Sequence, residues 1–373
     1  MLILTALGRS SRQLLPSLLL LTLISPAFAR EATTRPTETS VEFLSSGQAQ
    51  SAIIDESMEP YFKLLQPMEM SVKTGEPIGD GTLEQQRDRC RKRYQDAVEE
   101  FTDEEKDALR WYVSKLAPLV ENDYPLYART PWSFLKLSPR FEGGMPHTRG
   151  SHIIIAENEL AGLVQSRKHA PEWTALVRGA TILLHEQLHV VQREHPRDMA
   201  KLYTEFWKFK HADAVTGCDW LTQHQIVNPD GVDVRWVYPL KQDDKTRWIW
   251  PLIILDKDAD PEKATFADMR MVAVDVDPDG ANSFKARVDP DGRPIMQSLN
   301  DVAEYASAFP ATQEDFHPNE AAANLFAMIQ ILNRILPGHV PDGPDRIATM
   351  RKKLEPLNTW FEKVLADGMD SSK

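Results

Sequence analysis

The sequence has few cysteines, no long run of basic residues and, beyond its first thirty positions, no long apolar segment. Cys90 and Cys218 are the only cysteines among 373 residues, which is too few for a disulfide-dense scaffold or a four-cysteine zinc site. The sequence leaves open whether the two thiols pair or stay free. There are 43 Lys plus Arg against 55 Asp plus Glu, a formal net charge of −12. This acidic balance argues against binding to nucleic acid, which requires cationic neutralisation of phosphates.

The first thirty residues have the pattern of a secretion signal. Arg9 and Arg12 precede an apolar run at residues 14–24, and Ala-Phe-Ala at 27–29 supplies the small-residue pattern of a cleavage site. The apolar run is shorter than the roughly 20 residues that span a bilayer. We therefore expect residues 1–29 to be cleaved and the mature chain to be secreted or periplasmic, without stable membrane insertion.

The remaining chain divides by composition and periodicity into parts that together predict an α+β fold. Thr, Ser, Pro and Glu dominate the first part, so we expect it to be mobile, with one short amphipathic piece at 53–65. A short β-branched strand is expected at 152–155, and an amphipathic helix from Pro171 to Glu194. The predicted parts are a lead-in at 30–80, a helical part at 81–227, a sheet-rich insertion at 228–300 and a C-terminal helical part at 301–373.

The amphipathic helix contains the sequence His-Glu-Gln-Leu-His at residues 185–189. Residues four apart on an α-helix lie on one face, so the imidazoles of His185 and His189 can share a metal ion. Glu186 lies beside them, where its carboxylate can take a proton from a water activated by zinc. This H-E-x-x-H arrangement predicts a zinc site and hydrolysis of a polarised carbonyl compound.

A catalytic zinc needs a third protein ligand, and three residues compete for that role. Glu320 lies near the start of a predicted helix opened by Pro318, with Asn324 four residues later as a candidate hydrogen-bond partner of a ligand histidine. His195 follows the second histidine at a spacing of six, and Glu304 lies on another predicted helix. Sequence reasoning favours Glu320 and leaves the other two open.

Together, residues 185–189 and the sequence Asn-Glu-x-x-Ala-Asn at 319–324 resemble the gluzincin branch of zinc metallopeptidases. The resemblance implies a zincin-like α+β fold, with His185, His189 and Glu320 as zinc ligands. It also implies that Glu186 is the general base and Asn324 a residue that supports the ligands. The strand at 152–155 is similar to the zincin edge strand, along which an extended peptide substrate pairs. The segment between residues 189 and 320 is longer than in compact members of that group.

Gluzincins commonly use a Tyr or His to stabilise the oxyanion of the intermediate, and Tyr305, His317 and His152 are candidates here. Tyr305 is our choice for this catalytic role. The resulting hypothesis is an exported zinc-dependent hydrolase that acts on peptide or protein substrates. Two alternatives stay open: an extracytoplasmic binding or scaffold protein with a structural or vestigial zinc site, and a zinc hydrolase that acts on cell-wall amides.

Overall fold

A computed structural model describes residues 40–242, 245–256, 263–309, 316–339 and 346–367. One compact unit contains all of them. The expected secretion signal at 1–29 lies outside the described residues. Within the described ranges, no helix is both long and apolar enough to cross a membrane.

The described chain is mixed in secondary structure, with helices and strands interspersed along its length. The strands are β1 (Val41–Phe43), β2 (Val98–Glu99), β3 (Trp132–Leu137), β4 (His147–Arg149), β5 (His152–Ala156), β6 (Lys210–His211), β7 (Ala214–Thr216), β8 (Gln225–Ile226), β9 (Trp236–Gln242), β10 (Lys245–Leu255), β11 (Met269–Pro278), β12 (Ser283–Ala286) and β13 (Met296–Ser298). The α-helices are α1 (Ser46–Ala52), α2 (Tyr61–Leu64), α3 (Pro67–Thr74), α4 (Leu83–Asp96), α5 (Asp103–Val120), α6 (Pro125–Arg129), α7 (Glu157–His169), α8 (Glu172–Gly179), α9 (His185–Glu194), α10 (Pro196–Lys201), α11 (Asp219–His224), α12 (Ala303–Ala308), α13 (Pro318–Gln330) and α14 (Arg346–Asp367). Three π turns, Ala180–Leu184, Leu202–Phe206 and Ile331–Ile335, continue α8, α10 and α13.

A first sheet has the strand order β1-β3-β5-β4, and β2 also pairs with β3. Strands β1, β3 and β5 run parallel, whereas β4 is antiparallel to β5. Gly150, at φ 54°, lets the chain reverse between them, so that Arg149 pairs with His152. The predicted strand at 152–155 is therefore present but internal. Its assignment as the edge strand is wrong, because β4 covers its free side.

A second sheet has the order β6-β9-β10-β11-β12-β7, with β8 paired to β10 and β13 to β11. Strands β9 to β13 lie within 228–300, where the sequence predicts a sheet-rich segment. The short strands β6, β7 and β8 precede residue 228 and join the same sheet. The sheet is therefore larger than the alternation of apolar and polar residues within 228–300 predicts, because strands from outside that range pair with it.

The expectation of a mobile lead-in is wrong for residues 41–74, which form β1 and three helices. Ile53, Tyr61 and Phe62 are fully buried in a core shared with β3 and β5. The segment is rich in Ser, Gln, Glu and Pro, but several of its large apolar residues lie in that core. Strand β1 is held by parallel pairing with β3, a contact between segments far apart in sequence.

The largest core surrounds α9 and α13, which pack directly against each other. Leu188 of α9 is fully buried there, as are the three alanines 321–323 of α13. Small side chains on one helix let the two axes approach closely. Cys90 is buried and Cys218 half-buried, and both are free thiols.

Candidate metal centre

Helix α9 carries the H-E-x-x-H residues and is buried from His185 to Gln192. The predicted helix is confirmed: it begins at Glu172, passes through the π turn and ends at Glu194, before His195 and Pro196. The Tyr127 hydroxyl donates a hydrogen bond of 3.0 Å to the Leu184 carbonyl at the junction of the π turn and α9. This junction is therefore anchored in the core just before the first histidine.

Three side chains converge on a common point beside α9. His185 Nε2 and His189 Nε2 are 2.9 Å apart, and Glu320 Oε2 lies 3.3 Å from the first and 3.7 Å from the second. Each of the three side chains is at most 10% exposed. Such a buried set of nitrogen and carboxylate donors could hold a metal ion.

Glu320 reaches this point from the first turn of α13. His317 caps the helix, because its Nδ1 accepts a hydrogen bond of 3.1 Å from the Asn319 N–H. Pro318 is the first helical residue, where its missing N–H costs nothing. Burial raises the pKa of Glu320, but the charges and hydrogen bonds of His189 and His185 outweigh it and hold the pKa well below its usual range. The carboxylate is thus the charged partner of the two imidazoles.

Glu186 lies next to the same point and is also buried. Its Oε2 is 2.9 Å from the Thr148 hydroxyl, which can donate a hydrogen bond to it from strand β4. Burial and the negative charge of Asp230 raise the pKa of Glu186 to about 7. A carboxyl group with a pKa near neutrality can both accept and release a proton at neutral pH.

Two neighbouring amides support the converging side chains. Gln192 Oε1 accepts from His189 Nδ1 at 2.6 Å, while Gln192 Nε2 donates to the Asn319 carbonyl at 3.0 Å. Asn228 Nδ2 donates to Glu320 Oε1 at 2.5 Å. Gln192 has the supporting position that sequence reasoning assigns to Asn324, which lies half-buried one turn beyond Glu320. The supporting role of Asn324 stays a prediction.

Sequence reasoning missed Gln192, Asn228 and Asp230. The first lies three residues after His189 on the same helix, a spacing that brings side chains together, so it was detectable. Asn228 and Asp230 come from a loop distant in sequence. Asp230 forms a second buried group with Glu186 and His189, in which one ligand atom of each lies within 4.8 Å of the others.

The competing third-ligand candidates lie elsewhere in the described structure. His195 is the half-exposed residue that ends α9, and Glu304 is exposed and accepts a hydrogen bond from the Lys241 N–H. Glu320 alone of the three belongs to the buried group around His185 and His189.

The oxyanion candidates occupy three different environments. Tyr305 is fully buried in an aromatic cluster, with ring centroids 4.8 Å from those of Tyr238 and Phe309. Both ring nitrogens of His317 are used in capping α13 and in binding the Asp233 carbonyl. His152 Nδ1 contacts the Ser133 hydroxyl at 2.8 Å. The catalytic role of Tyr305 stays a prediction.

Comparisons with protein-family models, with curated proteins and with solved structures give no match for this chain.

Proposed function

We propose that the protein is an exported zinc-dependent hydrolase of peptide bonds with a zincin-like α+β architecture. The observation that carries the proposal is the convergence of His185, His189 and Glu320 on one buried point, with Glu186 beside it. An extended helix supplies the first two ligands and the general base, and a capped helix start supplies the third.

The donor atoms fit a zinc ion in number, chemistry and spacing. A tetrahedral site with bonds of about 2.0–2.1 Å separates its ligand atoms by about 3.3 Å. The three observed separations, 2.9, 3.3 and 3.7 Å, bracket that value. Two neutral imidazoles and one carboxylate leave a single positive charge on a bound divalent ion. This donor set is common in catalytic sites that keep one position open.

Glu186, Thr148 and Gln192 each have a separate role in the proposed hydrolysis. A zinc ion supplies Lewis-acid polarisation of a carbonyl and lowers the pKa of water. Glu186 accepts the proton of the attacking water at its carboxylate and passes it to the leaving amine. The Thr148 hydroxyl, 2.9 Å from Glu186 Oε2, orients that carboxylate. Gln192 holds the proton of His189 on Nδ1, so that Nε2 presents its lone pair to the metal position.

Strand β4 supports a peptide as the substrate class. It is the edge of the first sheet, and its central residue, Thr148, also contacts Glu186. An extended peptide that adds to this edge would run past the general base, with its backbone hydrogen-bonded to the strand. Export is supported by the signal-like pattern of residues 1–29.

The alternative function is an extracytoplasmic binding or scaffold protein that carries a structural zinc site. Burial favours it, because His189 is 1% exposed and both Glu186 and Glu320 are 4% exposed. Structural zinc sites are closed by protein, whereas catalytic sites keep a position for water or substrate. The two candidates predict the same metal content and differ in turnover.

The deciding experiment compares the wild type with Glu186→Gln, which has nearly the same shape and no ionisable group. Zinc content is measured by elemental analysis, and hydrolysis is followed with unfolded casein and with a cell-wall amide substrate. We expect one zinc in both proteins and a loss of turnover in Glu186→Gln of at least a hundredfold, since general base catalysis contributes roughly that much or more. Full activity in zinc-loaded Glu186→Gln would rule out this mechanism, and zinc without turnover in the wild type would support the scaffold alternative.

A further inference from the structure

The loop Asn228-Pro229-Asp230-Gly231, here named the 228–231 segment, is a tight turn pressed onto the candidate metal centre. Within it, the Asp230 N–H donates to Asn228 Oδ1 at 2.9 Å, and the Gly231 N–H donates to the Asn228 carbonyl at 3.1 Å. Both bonds are typical of Asn-x-Asp-Gly turn chemistry. The conformation of the segment is thus fixed by its own hydrogen bonds.

Contacts from both ends hold the segment against the site. The Asn228 amide donates to Glu320 Oε1, and the Asn319 amide donates to the Asp230 carbonyl at 2.8 Å. The side chain of Arg193, which is buried on α9, donates to the Pro229 carbonyl. Asp230 is 4% exposed and lies within reach of Glu186 and His189. The segment therefore covers the histidines and the carboxylates together.

The same segment occupies the free edge of β4. In an antiparallel pair, the backbone N–H and C=O of every second residue bond to the partner strand. Those of the residue in between point away from that strand. On β4 that residue is Thr148: its N–H donates to Asp230 Oδ1 at 2.9 Å, and its C=O accepts from Arg193 Nη2 at 3.0 Å. A peptide that added to this edge would need both groups. Asp230 and Arg193 therefore stand where the backbone of a substrate would bind.

We infer that the 228–231 segment is a built-in plug that keeps the cleft closed and that an incoming peptide must displace. This inference rests on the proposed function and adds its regulation. Asp230 performs two tasks in the closed form. Its Oδ1 substitutes for a substrate carbonyl at Thr148, and its carboxylate pairs with Arg193 Nη2 at 3.5 Å, which ties the segment to α9. The burial of the site is then a resting state rather than the sign of a structural metal.

Two variants loosen the plug by different routes. Asp230→Asn keeps the size and the acceptor for Thr148 but removes the charge. Gly231→Ala places a Cβ about 2.6 Å from the His317 ring, so the segment has to shift away from the helix cap. Asp233→Asn is the matched control, because that carboxylate binds Arg235 and His211 instead of the site. All three are made in the full chain and loaded with zinc.

The test uses acetohydroxamic acid, a small probe that would release its proton and chelate a bound zinc as the hydroxamate; its affinity is measured by calorimetry, together with the initial rate of casein cleavage. We expect Asp230→Asn and Gly231→Ala to bind the probe at least tenfold more tightly than the wild type and to cleave casein faster. Asp233→Asn should match the wild type in both. If one loosening variant fails to fold, the other carries the test.

Three results overturn the plug. Unchanged probe affinity in the folded, zinc-loaded variants means that the segment does not restrict access. Slower casein cleavage at unchanged probe affinity assigns Asp230 to catalysis instead. A wild type that binds no zinc refutes the proposed function itself, and the plug falls with it.

Discussion

The hydrogen bond between Gln192 and His189 leads to a prediction about metal affinity. Gln192→Leu removes the acceptor 2.6 Å from His189 Nδ1 and also the donor 3.0 Å from the Asn319 carbonyl. Without the acceptor, His189 can place its proton on either nitrogen, and α13 loses a tie one residue before Glu320. Loss of such a supporting partner typically costs about 10- to 100-fold in metal affinity. At about 1.4 kcal/mol per tenfold, this is about 1.4–2.8 kcal/mol of binding free energy.

Gln187 offers a matched control on the same helix. It is equally buried, and its amide donates to the Thr130 and Pro131 carbonyls at 2.9 and 3.2 Å. Gln187→Leu thus removes a donor from the carbonyl of the buried Thr130, at a cost of about 1–3 kcal/mol in stability. Neither of these two hydrogen bonds involves His185 or His189. We expect lower stability with zinc affinity close to that of the wild type.

The assay is competition for zinc against an indicator of known affinity, with folding checked by circular dichroism. The reasoning is refuted if folded Gln192→Leu binds zinc within twofold of the wild type. It is equally refuted if Gln187→Leu loses as much affinity as Gln192→Leu, because the effect would then report general loosening of α9.

Two further predictions concern the stability of the folded chain. A Cβ on Gly179 would lie 2.3 Å from the buried ring of Tyr112, whereas one on Gly162 would meet the flexible guanidinium of Arg178. We expect Gly179→Ala to lower the free energy of unfolding by about 1–3 kcal/mol. Gly162→Ala should leave the free energy of unfolding unchanged or raise it by up to about 1 kcal/mol. Equal effects of the two variants in urea denaturation would contradict this prediction. Burial raises the pKa of the Glu69 carboxyl to about 7 from 4.5. The contribution of Glu69 to stability is therefore fully present below pH 4.5 and is lost as pH rises through about 7, at up to about 1.4 kcal/mol per pH unit. Glu69→Gln should flatten that decline between pH 5 and 8, and parallel pH profiles for the two proteins would show the assignment to be wrong.

Local features of the sequence predict the helix that carries the two histidines. Apolar spacing, Pro171 before the first turn and Pro196 after His195 act within a few residues, so they specify where this helix starts and stops. The pairing of His185 with His189, with Glu186 beside them, follows from helix geometry alone. The start of α13 at Pro318 is set in the same local way.

Tertiary structure alone decides what stands opposite those histidines. Glu320, His195 and Glu304 are all plausible ligands in the sequence, and packing of α13 on α9 through small alanines brings only the first to the site. Strand β4, rather than β5, forms the edge, because a glycine at positive φ folds it back onto its neighbour.

The 41–74 segment and the 228–231 segment are the clearest cases in which sequence patterns are insufficient. The first shows no clear periodicity in sequence, yet several of its apolar side chains pack in a core shared with distant strands. The second has an ordinary turn sequence, but hydrogen bonds to Glu320, Thr148 and Arg193 place it over the candidate metal centre. Periodicity and capping reflect interactions between near neighbours in the chain, whereas the buried site is built from contacts between segments far apart in sequence.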